Sequence, residues 1–112
     1  MSNAIARKIE SIEAKGGMRS VDVANILGTR PETVSRWNQG KAFPRGETER
    51  LLFELDYIVD LLSDFYEPLD ARVWLFSRQR VLDGETPVSL IAKGQTDRVI
   101  EVLDQLRESI YL

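Results

Sequence analysis

The sequence predicts an all-α protein, because helical spacing of apolar residues recurs along the chain and strand signals are nearly absent. Its 112 residues are 43% hydrophobic and 29% charged, the composition of an ordinary globular protein. A chain of this length can bury roughly two-thirds of the surface of its unfolded form, so it needs no metal or disulfide to fold. Seven helices are predicted, or six if the segment after Phe76 stays irregular.

Three short helices are predicted within the first forty residues. The first carries apolar residues at i, i+4 and i+7, namely Ile5, Ile9 and Ile12. The second and third are expected to begin at side-chain caps, Ser20 and Thr29 respectively. Glycine is typical of helix ends, and it occurs here at Gly16, Gly17, Gly28 and Gly40.

The second half of the chain predicts four more helices. A long helix with a wide apolar stripe is expected to begin near residue 47 and to continue to about residue 65. Pro68 opens the next helix, and Thr86 followed by Pro87 predicts the cap and first position of a short one. Asp83 begins a predicted turn between them. The last helix is expected over residues 96–109.

The second and third predicted helices have the residue spacing of a helix-turn-helix. Counted from Ser20, small Ala24 falls at position 5, where the first helix of the motif faces the second. Gly28 falls at position 9, where the turn requires positive φ, and Val34 and Trp37 fall at the inward positions 15 and 18. We therefore expect a helix-turn-helix over residues 20–39, with Trp37 in the core.

The outward side chains of the third helix and the loop after it suit DNA recognition. Arginine can contact guanine, glutamine can contact adenine and threonine the thymine methyl group, while basic residues beyond the helix neutralise phosphates. The candidate DNA-binding residues are Arg30, Glu32, Thr33, Ser35, Arg36, Gln39, Lys41 and Arg45. For each of them, a solvated surface position is the alternative.

Charge is distributed unevenly along the chain. Residues 1–46 contain eight basic and four acidic residues, a net charge of +4, whereas residues 47–112 have a net charge of −7. We predict a DNA-binding domain over residues 1–46, a connecting or dimerisation helix over 47–66 and a C-terminal domain over 67–112. A basic and an acidic region suggest two partners of different kinds, with chance as the alternative.

Several classes of function are excluded by composition. The sequence has no Cys and no His, which excludes cysteine nucleophiles, Ser-His triads and zinc fingers. Its carboxylates fall on polar helix faces with no electrophilic partner, so we predict no enzyme, no metal and no cofactor. No apolar run approaches the about 18 residues of a membrane span, so no membrane association and a cytoplasmic location are expected.

Two stretches resemble known families. The first reads VANILGTRPETVSRWNQGKAFP and resembles the Xre/Cro-like helix-turn-helix family. The second reads VWLFSRQRVLDGETPVSLIAKGQTDRVIEVLDQL and resembles the toxin-binding domain of MbcA/ParS/Xre antitoxins. The positions that match this family's pattern are Gly84, Thr86, Pro87, Leu90 and Gly94. Asp83 replaces a common Gly, and Val88 and Ser89 replace the more usual Leu and Glu.

The resemblance implies an antitoxin that binds and blocks a RES-domain toxin, an enzyme that degrades NAD, in a hetero-oligomer. The helix-turn-helix domain would bind operator DNA as a homodimer or larger assembly and repress the operon. The final residues of the chain would enter or cover the cleft of the toxin. The alternative is that these residues fold back onto the core of their own chain. The candidate toxin-binding residues are Trp74, Arg78, Arg80, Ser109, Ile110, Tyr111 and Leu112.

Two other functions fit the same sequence. One is a stand-alone helix-turn-helix repressor whose acidic C-terminal part only dimerises. The other is an interaction adaptor whose helix-turn-helix no longer binds DNA. We also expect both tryptophans to be core residues, so that replacing Trp37 or Trp74 with alanine would destabilise the fold by about 3–5 kcal/mol.

Overall fold

The structure is a computed structural model and describes residues 3–110, without the side chain of Ile110. The described residues form seven α-helices and one short 3₁₀ helix. The helices are α1 (Ala4–Gly16), α2 (Ser20–Leu27), α3 (Pro31–Asn38), α4 (Gly46–Leu62), α5 (Pro68–Phe76), α6 (Pro87–Ala92) and α7 (Thr96–Ile110). The 3₁₀ helix, Arg80–Leu82, lies between α5 and α6. The predicted all-α fold is confirmed, with no strand in the described residues.

Side-chain caps and prolines start several helices. Thr86 caps α6 as predicted, because its hydroxyl oxygen accepts a hydrogen bond of 3.1 Å from the backbone N–H of Ser89. Asn3 caps α1 in the same way, through a bond of 2.7 Å from Ala6. The helices α3, α5 and α6 each begin with proline, whose missing N–H is not needed in the first turn.

The predicted caps Ser20 and Thr29 are wrong. The residue before α2 is Arg19, whose N–H donates to the carboxylate of Asp22 at 2.9 Å, and Ser20 is already the first helical residue. Thr29 instead ends α2, because its N–H donates to the carbonyl of Ala24 at 2.9 Å. The next residue, Arg30, takes the N-cap position of α3.

The helices share one hydrophobic core. Helix α1 packs along α4 and against α5, α2 packs on α3 and α6, and α7 packs on α6 and α4. The fully buried side chains at its centre include Ile9, Ile12, Leu52, Leu55, Ile58 and Leu103. The core therefore draws on all three predicted segments, 1–46, 47–66 and 67–112. Helix α4 ends at Leu62, three residues before the predicted end.

None of the helices in the described residues is both long and apolar enough to span a membrane.

Candidate functional site

The helix-turn-helix has the packing that its sequence predicts. Ala24 on α2 and Val34 on α3 are fully buried, and Trp37 on α3 is buried as well. Gly28 ends α2 with φ = 69°, a conformation that non-glycine residues adopt only with strain. These four landmarks hold α2 and α3 together and leave the other face of α3 outward.

The candidate DNA-binding residues lie on this outward face or in the loop that follows it. Seven of the eight are exposed and Thr33 is half-buried. The amide of Gln39 donates to the hydroxyl of Ser35 at 3.3 Å, so these two side chains support each other one turn apart. None of the four basic members, Arg30, Arg36, Lys41 and Arg45, has an ion-pair partner within residues 3–110. We call the eight residues the recognition surface.

A groove of about 480 Å³ opens between α5, the 3₁₀ turn and α7. Two of the residues predicted to bind a toxin, Trp74 and Ser109, lie in its wall, and we call it the α5–α7 groove. Its remaining lining residues are Tyr66, Gln79, Val81, Val102, Gln105 and Leu106. The wall is therefore mostly apolar with a few amide and hydroxyl groups, which is the usual chemistry of a binding groove.

The loop after α5 shapes one side of the groove. The side-chain amide of Gln79 donates to the carbonyl of Trp74 at 3.0 Å. The backbone of Gln79 donates to Glu85 and accepts from Gly84, each at 3.0 Å, which closes the turn around the 3₁₀ helix. Asp83 adopts φ = 58° in this turn, and its carboxylate accepts a hydrogen bond of 3.0 Å from Arg98 on α7. The turn is thus attached to both helices beside the groove.

The other predicted toxin-binding residues lie apart from the groove or outside the description. Arg78 lines a separate depression of about 350 Å³ with Gly84, Glu85, Thr86 and Ser89. Arg80 is exposed at the start of the 3₁₀ helix. The side chain of Ile110, and Tyr111 and Leu112 altogether, lie outside the described residues. The structure therefore brings together two of the seven predicted residues, Trp74 and Ser109.

An apolar surface beside the groove escaped the sequence analysis. Leu69 and Val73 on α5 are 75% and 64% exposed, and Phe76 and Val81 are exposed as well. The opposite face of α5 is also apolar and is buried at Ala71 and Leu75. Apolar residues on both faces of a short helix are the signal that could have revealed this surface, because only one face can join the core. We call Leu69, Val73, Phe76 and Val81 the α5 patch.

An ion pair joins the helix-turn-helix to α5. The guanidinium of Arg72 donates to the carboxylate of Asp22 at 2.7 and 3.3 Å, and to the carbonyl of Gly17 at 3.1 Å. The same group lies 4.7 Å from the centre of the Phe76 ring. The hydrogen bond from Arg72 is the main reason that the pKa of the Asp22 carboxyl lies below its ordinary value, and it likewise raises the pKa of Arg72.

Among the described residues, no group of three or more acidic side chains is arranged to hold a metal ion. The pKa of Lys15 is also raised, chiefly by its hydrogen bond to exposed Asp60. Neither Asp22 nor Arg72 lines the α5–α7 groove or the depression at Arg78. The groove is thus a surface for contact, and none of its lining residues carries a charged side chain.

Comparison with known proteins places this architecture in a class. Residues 60–108 match the family described as the Antitoxin Xre/MbcA/ParS C-terminal toxin-binding domain. The chain is 28% identical to the mycobacterial cidal antitoxin MbcA of Mycobacterium tuberculosis over 110 residues, which covers 98% of this chain and 97% of that protein. It is 32% identical over 96 residues to the "probable mycobacterial cidal antitoxin Rv3188" of the same species, covering 86% and 82% respectively.

The fold agrees with a solved structure as well. The chain superposes with a TM-score of 0.85 and 28% identity on a chain from the crystal structure of the M. tuberculosis MbcT–MbcA toxin–antitoxin complex, covering 98% of this chain and 99% of that one. The all-helical fold of this chain is thus shared with a known antitoxin. The chain belongs to the Xre/MbcA/ParS family and is an antitoxin of a toxin–antitoxin system.

Proposed function

We propose that the chain neutralises a partner toxin by covering it with the α5–α7 groove and the adjoining α5 patch. The toxin we expect is a RES-domain enzyme that degrades NAD, and the chain would block it by binding, without catalysis, in the cytoplasm. The observation that carries this proposal is the exposure of Leu69 and Val73 beside a groove of about 480 Å³. Exposed apolar side chains grouped beside a groove are typical of sites of protein contact.

The composition of this region supports a protein partner. Leu69, Val73 and Val81 offer apolar area whose burial stabilises a complex by roughly 25 cal/mol per Å². Trp74 is half-buried and lines the groove together with Val81 and a neighbouring depression together with Val73. Tryptophan is enriched among the residues that dominate binding energies, so Trp74 is the expected anchor and the aliphatic side chains add apolar area around it.

Cationic and terminal residues would extend the contact. Arg78 and Arg80 are exposed outside the groove and would pair with acidic groups of the toxin. Ser109 lines the groove near the end of α7 and would contact the toxin there. We propose Ile110, Tyr111 and Leu112 as the segment that enters the toxin cleft.

We further propose that the recognition surface binds operator DNA and represses the operon. Its four cations, Arg30, Arg36, Lys41 and Arg45, have no ion-pair partner in the described part of the chain and supply attraction for phosphates. Helix α3 presents polar side chains to base edges. One short helix buries too little surface for tight binding, so two copies of the chain would act together on a two-part operator.

The test is co-expression with the protein encoded by the adjacent gene. The wild-type chain should co-purify with this protein at a fixed stoichiometry and abolish its NAD-degrading activity. The double substitution L69S/V73S should weaken the complex at least about tenfold, because both side chains lose their apolar contact. The matched control is Phe43→Ser, since Phe43 is exposed on the loop after α3, away from the patch. Full inhibition by L69S/V73S would overturn the assignment of the α5 patch.

The second candidate function is a stand-alone repressor, which the recognition surface favours. That candidate requires operator binding by the free chain and no stable complex with the neighbouring protein. An adaptor without DNA binding would show the opposite pattern, a stable complex and no shift of operator DNA at low salt. The two measurements together therefore distinguish the three functions.

A further inference from the structure

Helix α4 carries an exposed stripe that neither the groove nor the recognition surface uses. Phe53 and Tyr57 are 43% and 49% exposed on it, although large aromatic side chains usually join the core. The side chains of Arg50 and Asp60 flank them and are 60% and 62% exposed. Spacings of three, four and three residues place all four on one face of the helix. We call these four residues the α4 stripe.

The α4 stripe can pair with a second copy of itself that runs in the opposite direction. The order of its side chains is a cation, an aromatic, an aromatic and an anion. In two antiparallel helices, residues face each other when their numbers have a constant sum. The pair 50 and 60 and the pair 53 and 57 meet this condition at the same register. Arg50 would then face Asp60 of a second copy, and Phe53 would face Tyr57, each contact occurring twice.

We propose that the α4 stripe is a two-fold contact between two copies of this chain, with the α4 helices antiparallel. The proposal deepens the proposed operator binding, because it names the face that brings two helix-turn-helix motifs together. A parallel arrangement would oppose Arg50 to Arg50 and Asp60 to Asp60, which repel. The charges on the stripe therefore select one orientation.

The existing partners of these charges do not prevent the contact. Arg50 pairs with Glu54 at 3.2 Å and Glu47 at 3.8 Å, and Asp60 pairs with Lys15 at 2.7 Å. Exposed ion pairs contribute little to stability, so these side chains exchange partners at small cost. Lys8 lies 4.8 Å from the centre of the Phe53 ring and covers one side of it. The remainder of the ring stays open for a neighbour.

The contact is short, which sets the expected strength. The stripe spans ten residue steps of helix, or about 15 Å at 1.5 Å per residue. A contact of that length buries less than the roughly 1,200 Å² typical of stable complexes, so the dimer should be weak and concentration-dependent. Neighbouring half-sites on DNA would strengthen it, because the second copy then binds at a high effective concentration.

Sedimentation equilibrium of the full chain without DNA or toxin provides the first test. The wild-type chain should associate reversibly to a dimer, and F53S/Y57S should raise the dissociation constant at least about tenfold, since two aromatic pairs are lost. Both side chains are exposed, so the monomer should melt at nearly the same temperature. Phe43→Ser is the control, an exposed aromatic outside the stripe whose loss should leave the dimer unchanged.

A mixture of two charge variants tests the register itself. Arg50→Asp alone places two carboxylates opposite each other at both contacts, and Asp60→Arg alone places two guanidinium groups there, so each variant should be monomeric. Mixed in equal amounts, the two variants oppose unlike charges at both contacts and should form a heterodimer. Arg98→Asp is the matched control, because Arg98 also loses an ion pair, to Asp83, but lies on α7. It should dimerise like the wild type.

Three results would overturn the proposal. The first is a wild-type chain that stays monomeric at millimolar concentration, and the second is a mixture that forms no heterodimer. The third is that F53S/Y57S loses toxin binding but keeps self-association, which would assign the stripe to the toxin. Inhibition of the toxin is measured separately, so failure of the dimer contact is distinguishable from failure of toxin neutralisation or operator binding.

Discussion

Arg72 on α5 holds the carboxylate of Asp22 on α2 through hydrogen bonds of 2.7 and 3.3 Å, fifty residues apart in the chain. Asp22 is buried and also accepts the N–H of Arg19, so the carboxylate organises the start of α2 as well as the contact with α5. The same guanidinium stacks on Phe76 of the α5 patch. This pair therefore links the helix-turn-helix to the helix that we propose for toxin binding.

Asp22 should make stability depend on pH in the acid range. Its pKa in the folded protein is lower than the ordinary value of 3.8, chiefly through the hydrogen bond from Arg72. The charged carboxylate therefore stabilises the fold above about pH 4, and this contribution is lost as the pH falls through the folded pKa. Asp22→Asn should cost about 1–3 kcal/mol at pH 7. The difference in melting temperature between Asp22→Asn and the wild type should therefore become smaller below about pH 4.

Gly17 and Gly28 should respond differently to alanine, although both have positive φ. At each site the left-handed conformation costs roughly 1–2 kcal/mol with a Cβ present. A Cβ at Gly17 would in addition lie 2.6 Å from the carbonyl oxygen of Pro68, whereas at Gly28 nothing lies within 4 Å. Gly17→Ala should therefore lower the free energy of unfolding more, by about 3 kcal/mol or above. Equal losses in urea denaturation would contradict this close approach.

The two tryptophans should differ in their effect on stability. Trp37 is buried, and Trp37→Ala should cost about 3–5 kcal/mol by leaving a cavity. Trp74 is only half-buried at the α5–α7 groove, so the equal loss of stability expected from the sequence is wrong. Trp74→Ala should lower the free energy of unfolding by only about 1–2 kcal/mol. Thermal denaturation should separate the two variants. Trp74→Ala should instead weaken toxin binding, which titration calorimetry measures.

Arg36 should contribute to DNA binding and not to folding. It is exposed on α3 and has no ion-pair partner in the described part of the chain. Arg36→Ala should weaken operator binding by about 1–3 kcal/mol if the guanidinium contacts a base, and toxin inhibition should be unchanged. Arg98→Ala on α7 serves as the control in gel shifts. If Arg36→Ala binds the operator as tightly as the wild type, Arg36 does not contact the DNA.

Deletion of residues 110–112 should separate neutralisation from folding. The deletion leaves the buried residues of α7, Val99 and Leu103, in place, so the melting temperature should change little. The truncated chain should still bind operator DNA but should bind the toxin at least about 2 kcal/mol more weakly, the magnitude typical of dominant contact residues. Full inhibition by a stable truncated chain would move the toxin contact to the α5 patch alone.

Sequence patterns determined the helices and the helix-turn-helix. Thr86 and the prolines act within one turn of their own positions, so the starts of α5 and α6 follow from local chemistry. Gly28 and Trp37 lie at fixed spacing in a motif whose two helices are adjacent in the chain. The predicted caps Ser20 and Thr29 each miss the observed cap, Arg19 or Arg30, by one residue, because polar residues are adjacent at both helix starts and the sequence does not choose between them.

Only the tertiary structure decided which apolar surfaces remain open. Helix α5 is apolar on both faces, and burial of Ala71 and Leu75 against distant helices left Leu69 and Val73 exposed. The Asp22–Arg72 pair and the α5–α7 groove likewise join residues far apart in the sequence. Local periodicity predicts that a helix forms, but the choice of its buried face depends on neighbours that the chain brings together only on folding.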